Sequence, residues 1–439
     1  MVEKSVFAFL TQGFRRAVAV LLLGVIASLT CVQADEAFEL HQSRPGETVA
    51  SVVLTYLQGP GALAALVHLN GWTHPEQVIA GRIIKLPRSH LKIQSSQARI
   101  TRLNCNTVVR TDVTPAVALE IGAILHEGAV LRIPAGCQLV LTLEDDTSLR
   151  MLSGATVKLK TLRQRLFSRT PDVQVELLDG RISVDVPRQR KASSDRLEVH
   201  TPMSVAGVRG TEFRVAFGAD DGLSAVEVLG GSVGARGLTE VQEQKVAGGQ
   251  GMVISATGQS LPVESLLPPL RFSGVSQGLA SFQGESSARQ FVLTTAQDAL
   301  FMEGLGDQRR QTASVFPTVG VTDLATFVRW GAVSVSGLVG ELSDFGLCQG
   351  VKLQNVWRCD IAFNFSGWAR PRLQLERLTD QGGSLLLVDR SIDTGHRPAW
   401  LFRNLPTGHY RWRIEELSNA DRITRLTGKF QLIAVRSPD

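Results

Sequence analysis

The run VHTPMSVAGVRGTEFRV, Val199 to Val215, holds the residue best placed to do chemistry: Arg209, a guanidinium set between Gly207 and Gly210. An arginine at such a corner can clasp a partner's carboxylate, or pin Glu212 or a backbone carbonyl of its own domain. Gly230-Gly231-Ser232-Val233-Gly234 satisfies the G-x-S-x-G pattern of a serine nucleophile, which needs a strand before it and a helix after it. The residues that follow, A-R-G-L-T-E-V, continue a strand pattern, so a hydrolase is not expected. Asp145-Asp146 are adjacent carboxylates, but neighbours on a strand face opposite sides, and a turn is the better reading. His68 and His74 lie on poorly matched elements, no cysteine belongs to a C-x-x-C, and the histidines lack metal-ligand spacing. No catalytic residue, no metal and no cofactor is expected.

Strands must position Arg209. Thr211, Phe213, Val215 and Phe217 point one way, and Glu212, Arg214 and Ala216 the other, the period of two of a half-buried strand. Thr201-Pro202 ends the preceding strand, L-E-V-H, because proline cannot donate to a ladder. Gly207 and Gly210 read as a bend or bulge between the two. Short strand patterns recur nearby: V-K-L-K from 157, V-Q-V-E-L from 173, I-S-V-D-V from 182 and A-V-E-V-L from 225. Leu178-Asp179-Gly180 reads as a hairpin or corner turn, as does Asp220-Asp221-Gly222. Residues 100–260 are therefore all-β, a stacked solenoid or a sandwich; spacing does not decide which.

The run TPMSVAGVRGTEF resembles the signature of the FecR domain, a periplasmic all-β domain, through Thr201, Pro202, Gly207, Arg209, Gly210, Thr211 and Phe213. LEDDTSLRM (143–151), LLDGRISVDV (177–186) and EVLGGSV (227–233) extend the likeness across the region. The resemblance implies a β-solenoid-like stack in which those residues serve the fold or contact a partner.

Apolar content of 44% and a charge of +5, from 46 basic and 41 acidic residues, describe an ordinary globular chain of about three domains. Nucleic-acid binding through net charge is not supported. Arg15-Arg16, the apolar run Ala17 to Thr30 and V-Q-A ending at Ala34 read as a secretory signal, residues 1–34, cleaved after Ala34. An uncleaved anchor is the other reading. After Ala34 no stretch is long and apolar enough to span a bilayer, so the protein is expected in the periplasm. Export leaves Cys105, Cys137, Cys348 and Cys359, an even count for disulfides with three connectivities. Proximity favours Cys348–Cys359 and Cys105–Cys137.

Residues 36–90 read as strand, helix, helix, strand. Thr48 can cap a first helix with Val49, Val52, Val53, Tyr56 and Leu57 on one face. Gly59-Pro60-Gly61 breaks it, and a second helix turns Leu63, Leu66 and Val67 inward before a left-handed cap at Asn70-Gly71. The segments PGETV (45–49), LNG (69–71) and AGRIIKLP (80–87) resemble a LysM module, which binds the N-acetylglucosamine backbone of peptidoglycan. The resemblance implies a glycan groove lined by Gly46, Glu47, Thr48, Asn70, Gly71, Ile79 and Gly81, with Trp72 stacking on a sugar ring.

The C-terminal third repeats weakly. QFVLTTAQD (290–298) parallels RLQLERLTD (372–380), TFVRW (326–330) parallels HYRWR (409–413), and Phe345 parallels Phe430. Two small β-sandwiches are expected, 262–347 and 359–439, resembling fibronectin type III-like modules. Cys348–Cys359 would staple their joint, and Trp330, Trp368, Trp400 and Trp412 are expected in the cores.

The fold class expected is mainly β and multidomain. The function expected is non-enzymatic: a periplasmic scaffold holding peptidoglycan glycan strands and docking an envelope protein partner. The alternative is a signal transducer like the regulators that share the FecR domain, although only residues 1–16 precede the apolar run where those carry an anti-sigma segment. A wall hydrolase is disfavoured for want of a placed nucleophile or acid pair.

Overall fold

The computed structural model describes residues 38–435 apart from 73–80, 106, 188–195, 209–210, 285, 302–308, 319–320, 366–367, 369, 393–398 and 419–421. The signal segment 1–34 therefore lies outside the described residues, as do Ile79, His74, Arg209 and Gly210. The chain is mainly β and divides into two compact units, one of residues up to 92 with 166–168, the other of 93–165 and 169 onward.

In the first unit, strand Phe38–Gln42 pairs antiparallel with Ile83–Pro87, and helices α1 (Val49–Tyr56) and α2 (Ala62–Leu69) lie between them in the chain. Thr48 starts α1 through a capping box: its hydroxyl accepts from the Ser51 N–H, and the Ser51 hydroxyl accepts from the Thr48 N–H. Val49, Val52, Leu57, Ala62, Leu66, Ile84 and Leu86 form the core, with Val53, Tyr56 and Val67 packed at its margin. Leu63, expected inward, is 41% exposed. Ala62 and Leu66, four apart, already fill the core-facing stripe of this eight-residue helix, which leaves Leu63 on its flank, about 100° round from Ala62. The rings of His41, Tyr56 and Phe167 meet with centroids 5.0–5.4 Å apart.

The second unit begins with two facing sheets built alternately as the chain advances. The first sheet runs from Ala98–Leu103 through Leu139–Leu143, Ser148–Met151, the end of Pro171–Asp185, Glu212–Phe217 and Ser224–Gly230 to Gln250–Ile254. The second runs from Val109–Arg110 through Val130–Arg132, Thr156–Arg165, the start of Pro171–Asp185, Arg196–His200 and Ser204–Val208 to Ser232–Gly237. One apolar core fills the space between, drawing on Val157, Val173 and Val199 from one sheet and Leu149, Phe213 and Val226 from the other. The two runs V-Q-V-E-L and I-S-V-D-V are a single strand. Leu178-Asp179-Gly180 is thus no hairpin but the corner where that strand leaves one sheet for the other. Gly180 has φ +88, and a Cβ there would lie 2.6 Å from Ala155 Cα, so only glycine turns this corner. Asp220-Asp221-Gly222 is the expected tight connection, with the Asp221 carboxylate accepting the Leu223 N–H. Cys105–Cys137 is bonded.

Asp112 ties two strands of the second sheet, accepting from the Arg110 guanidinium at 2.6–3.0 Å and from the Val130 N–H at 3.0 Å. The Arg110 hydrogen bonds hold its carboxyl at about 2 against an ordinary 3.8, with burial opposing. A lowered folded-state value means this contribution is complete above 3.8 and is lost as pH falls towards about 2. The melting temperature of Asp112→Asn should accordingly fall less steeply than wild type across that interval. Parallel curves in an acid titration followed by circular dichroism would refute this.

The C-terminal part of this unit holds two seven-strand groups with one plan. In the first, Arg271–Ser276, Leu279–Gln283 and Val315–Pro317 form a three-stranded sheet over Arg309–Gln311, Gln290–Ala296, Thr326–Val333 and Val339–Cys348. In the second, Val351–Leu353, Val356–Asn364 and Ala399–Pro406 stand to Ser384–Ser391, Arg372–Leu378, Gly408–Ser418 and Arg422–Ala434 in the same way. The repeat offset did not disclose their union. The two four-stranded sheets join edge to edge into one eight-stranded sheet, through parallel pairing of Phe345 to Cys348 with Gln431 to Ala434. Each half packs its three-stranded sheet on the opposite face: Phe282, Trp330 and Phe345 on one, Phe327, Phe363, Tyr410 and Phe430 on the other. Cys348–Cys359 is bonded at the junction.

Candidate functional site

The residues expected to hold a sugar lie on two loops of the first unit that touch. Ser43 N–H donates to Arg82 O at 2.9 Å, the Arg82 N–H donates to the Ser43 hydroxyl at 2.9 Å, and Gly81 N–H donates to Ser43 O at 3.2 Å. Within them the polar side chains already have internal duties. Glu47 accepts from Arg44 N–H at 2.7 Å and contacts His41 Nε2 at 2.9 Å. Burial raises its carboxyl, but these partners outweigh that and hold it below the ordinary value. Thr48 caps α1, and Asn70 is saturated: it donates to Leu66 O and Lys85 O and accepts from Lys85 N–H, all at 2.8 Å. Trp72 is half-buried against the core. Gly46, Gly71 and Gly81 have φ of +83, +64 and +76, and a Cβ at any of them would meet nothing within 4 Å. What these positions leave uncovered is the side-chain-free face of the three glycines.

In the second unit the central motif lies where period two puts it, with one exception. Thr211, Phe213, Val215 and Phe217 are buried in the core between the sheets. Thr201 forms the turn at Pro202, its hydroxyl accepting from Met203 N–H and Ser204 N–H and meeting the Ser204 and Ser224 hydroxyls in a buried group. Gly207 is not at a bend; it sits mid-strand in Ser204–Val208, opposite Glu198 on one side and Gly234 on the other. Ser232 opens a strand, Ser232–Gly237, that is followed by another, Gln244–Ala247. Asp145-Asp146 lie in the turn before Ser148–Met151, as expected.

The exception is Arg214, which alternation puts on the solvent face and which is 4% exposed. It belongs to a cross-strand row over the outer face of the first sheet: Arg102, Val140, Arg150, Ser183, Arg214, Glu227 and Gly251 follow one another by direct pairing. The C-terminal part covers that row. Arg102 lies 4.4 Å from the centroid of the Trp368 ring, a cation–π contact. Arg214 Nη2 donates to the carbonyls of Val339, at 2.5 Å, and Gly340, at 2.9 Å. Glu227 accepts the Val339 N–H at 2.7 Å. Its carboxylate also pairs with Arg214 Nε at 2.7 Å, an ion contact without hydrogen-bond alignment, and with Arg181 at 3.4 Å. Over Gly251 stands Leu338, packed with Val253 and Leu266. Ser334 and Ser336 donate to the Glu264 carboxylate beside it.

Burial pushes the Arg214 guanidinium down from its ordinary value, Glu227 opposing. Burial, with Arg329 nearby, pushes Arg150 down to about 10. Burial works on Arg329 in the same sense, but the two-pronged Asp344 contacts at 2.7 Å outweigh it. Guanidinium groups keep their proton in proteins, so the row is a charged seam. Sequence reasoning singled out none of these residues; the one available signal was an arginine and a glutamate on the outward face of two strands whose inward faces are largely apolar.

Among the described residues no helix is long and apolar enough to cross a membrane. No curated protein matches the chain. Among solved structures it is similar to a protein described as an anti-sigma factor from Parabacteroides distasonis ATCC 8503, at 22% identity and a TM-score of 0.26, over 31% of this chain. The chain spans 59% of that structure's length. It is also similar to a tetra-tandem repeat in the extending region of a large adhesion protein, at 10% identity and a TM-score of 0.13, covering 70% of this chain and 96% of that one. Residues 129–234 match the family described as FecR protein, and this part of the two-sheet stack is a FecR domain.

Proposed function

We propose that the protein is a non-enzymatic scaffold of the bacterial envelope. Its first unit holds N-acetylglucosamine-containing glycan of peptidoglycan in the periplasm, and its FecR domain with the joined C-terminal sheets forms a single body for contact with an envelope protein. The observation that carries the glycan reading is the uncovered, side-chain-free surface at Gly46, Gly71 and Gly81, where the Gly71 and Gly81 N–H groups are bonded internally and the other main-chain groups are left to meet a sugar. Sugars offer hydroxyls and acetamides, which backbone N–H and C=O groups can pair without a charged side chain. A single such unit binds weakly, since few hydrogen bonds must offset the ordering cost.

The test is sedimentation of the full-length protein with purified sacculi. We expect cosedimentation that soluble N-acetylglucosamine oligomers reverse and added salt does not. Gly46→Asn with Gly81→Asn keeps the left-handed backbone, which asparagine tolerates, while filling the open face; it should leave the protein folded and in the supernatant. Wild-type protein that stays in the supernatant sinks the reading. The second reading is a regulator of the FecR type, which the family match over residues 129–234 favours. It requires the N-terminal apolar run to be retained in the inner membrane. Mass spectrometry of the N-terminus in fractionated cells separates the two.

A further inference from the structure

We infer that the outer face of the first sheet, with Arg214 and Glu227 of the FecR domain at its centre, is a docking site for a peptide segment of the type Leu-x-Gly, and that the chain fills this site with its own residues Leu338, Val339 and Gly340. The chemistry of the contact is main-chain recognition. Arg214 donates to two consecutive carbonyls, those of Val339 and Gly340, and Glu227 accepts the Val339 N–H that precedes them. None of these three bonds involves a side chain of the docked segment; they read its main chain where the strand is bulged, its register shifting opposite Gly331 to Val333, which turns two consecutive carbonyls to one side. Side-chain selection comes at two places. Leu338 fills a pocket with Val253 and Leu266 on its walls and Gly251 as its floor, where a Cβ would lie 2.7 Å from Leu338 Cδ1. Gly340 passes so close to Leu267 that a Cβ would lie 2.3 Å from its carbonyl oxygen. A leucine followed two residues later by glycine is what the site selects.

The docked segment begins at the tip of the hairpin between Thr326–Val333 and Val339–Cys348, closed by the Ser334 N–H to Leu338 O bond. A joint made only for stability would gain as much from apolar residues, because a buried ion pair replaced by packed hydrophobics is often neutral or stabilising. An arginine and a glutamate pointed at main-chain atoms instead give geometry and reversibility. A partner protein carrying a Leu-x-Gly segment would compete with the tethered one and free the hairpin.

The probe is a fluorescein-labelled peptide of residues 336–342, SGLVGEL, titrated into the full-length protein and followed by anisotropy. Leu338→Asp empties the pocket, and Gly340→Ala loosens the segment from its other side; both leave Arg214 and Glu227 in place. Either variant, if folded by circular dichroism, should bind the peptide saturably and at least about tenfold more tightly than wild type, whose site is filled. Adding Arg214→Met and Glu227→Leu to the opened variant should abolish that binding. Folded opened variants that ignore the peptide overturn the proposal, as does wild type binding equally well or the triple change binding undiminished. Should neither opened variant fold, hydrogen exchange on the wild type decides. Excess peptide must lower protection at the Val339 amide, and unchanged protection overturns the proposal.

Discussion

Glu227→Ala should lower the unfolding free energy of the second unit by about 3–5 kcal/mol, the cost of removing one partner from a buried ion pair. Glu227 is 1% exposed and serves three donors at once: Arg214, Arg181 and the Val339 N–H. Its removal leaves the buried Arg214 guanidinium without the carboxylate that pairs with it, Arg181 likewise, and the Val339 amide without an acceptor. A guanidinium does not give up its proton in a protein, so the site cannot relieve itself by neutralisation. Arg214→Met with Glu227→Leu is the informative companion. It removes that ion pair together and fills its volume, leaving only Arg181 and the Val339 N–H without Glu227, so its cost should be clearly smaller than that of the single variant. Guanidinium chloride titrations of wild type, single and double variants give both numbers. A single variant within about 1 kcal/mol of wild type would mean that the seam is hydrated and the pair exposed, and the seam as described would be wrong.

Arg214 also marks where sequence reasoning stops. The alternation over 211–217 correctly sends Thr211, Phe213, Val215 and Phe217 into the core, because the period of two is a local property of the strand. What covers the other face is not local. The carbonyl that Arg214 bonds is 125 residues away in the chain, and nothing in F-R-V-A-F announces it. The same limit explains the C-terminal part. An offset of similar residues reveals two copies of a strand plan, but the parallel pairing of Phe345 to Cys348 with Gln431 to Ala434 depends on which edges happen to be free. Edge pairing is made by backbone groups that every sequence carries.

Errors of a different kind arose where a residue type has two physical uses. Glycine permits positive φ, and it also permits close approach; Gly180 uses both at its corner, while Gly207 sits in ordinary extended geometry beside Gly234. Glu47 and Asn70 have groups that could bond a sugar, and the same groups can close the loops that present one. In the folded chain they do the second, which shifts the candidate glycan contacts from side chains to main chain. Leu63 shows that an eight-residue helix leaves its inward face underdetermined, since Ala62 and Leu63 are both apolar and only packing chooses between them.

Phe213→Ala should cost about 3–5 kcal/mol, the range for truncating a buried aromatic ring. Phe213 is wholly buried, directly between Val184 and Val228 on the neighbouring strands, in the core that both sheets share. The ring has no room to be replaced by collapse, because strands on either side are held by their ladders and the facing sheet by its own. Thr211, two residues earlier and 1% exposed, should behave in the opposite way. Among the described residues its hydroxyl has no hydrogen-bond partner, so Thr211→Val exchanges an unsatisfied buried oxygen for a methyl of the same shape. That change should be neutral or stabilising by up to about 1 kcal/mol. Thermal and denaturant unfolding of the two variants give the comparison directly. A tolerated Phe213→Ala would remove the core role assigned to the motif. A destabilising Thr211→Val would mean that its hydroxyl is engaged by residues 209–210, giving the glycine-flanked arginine a structural duty that strand alternation alone does not supply.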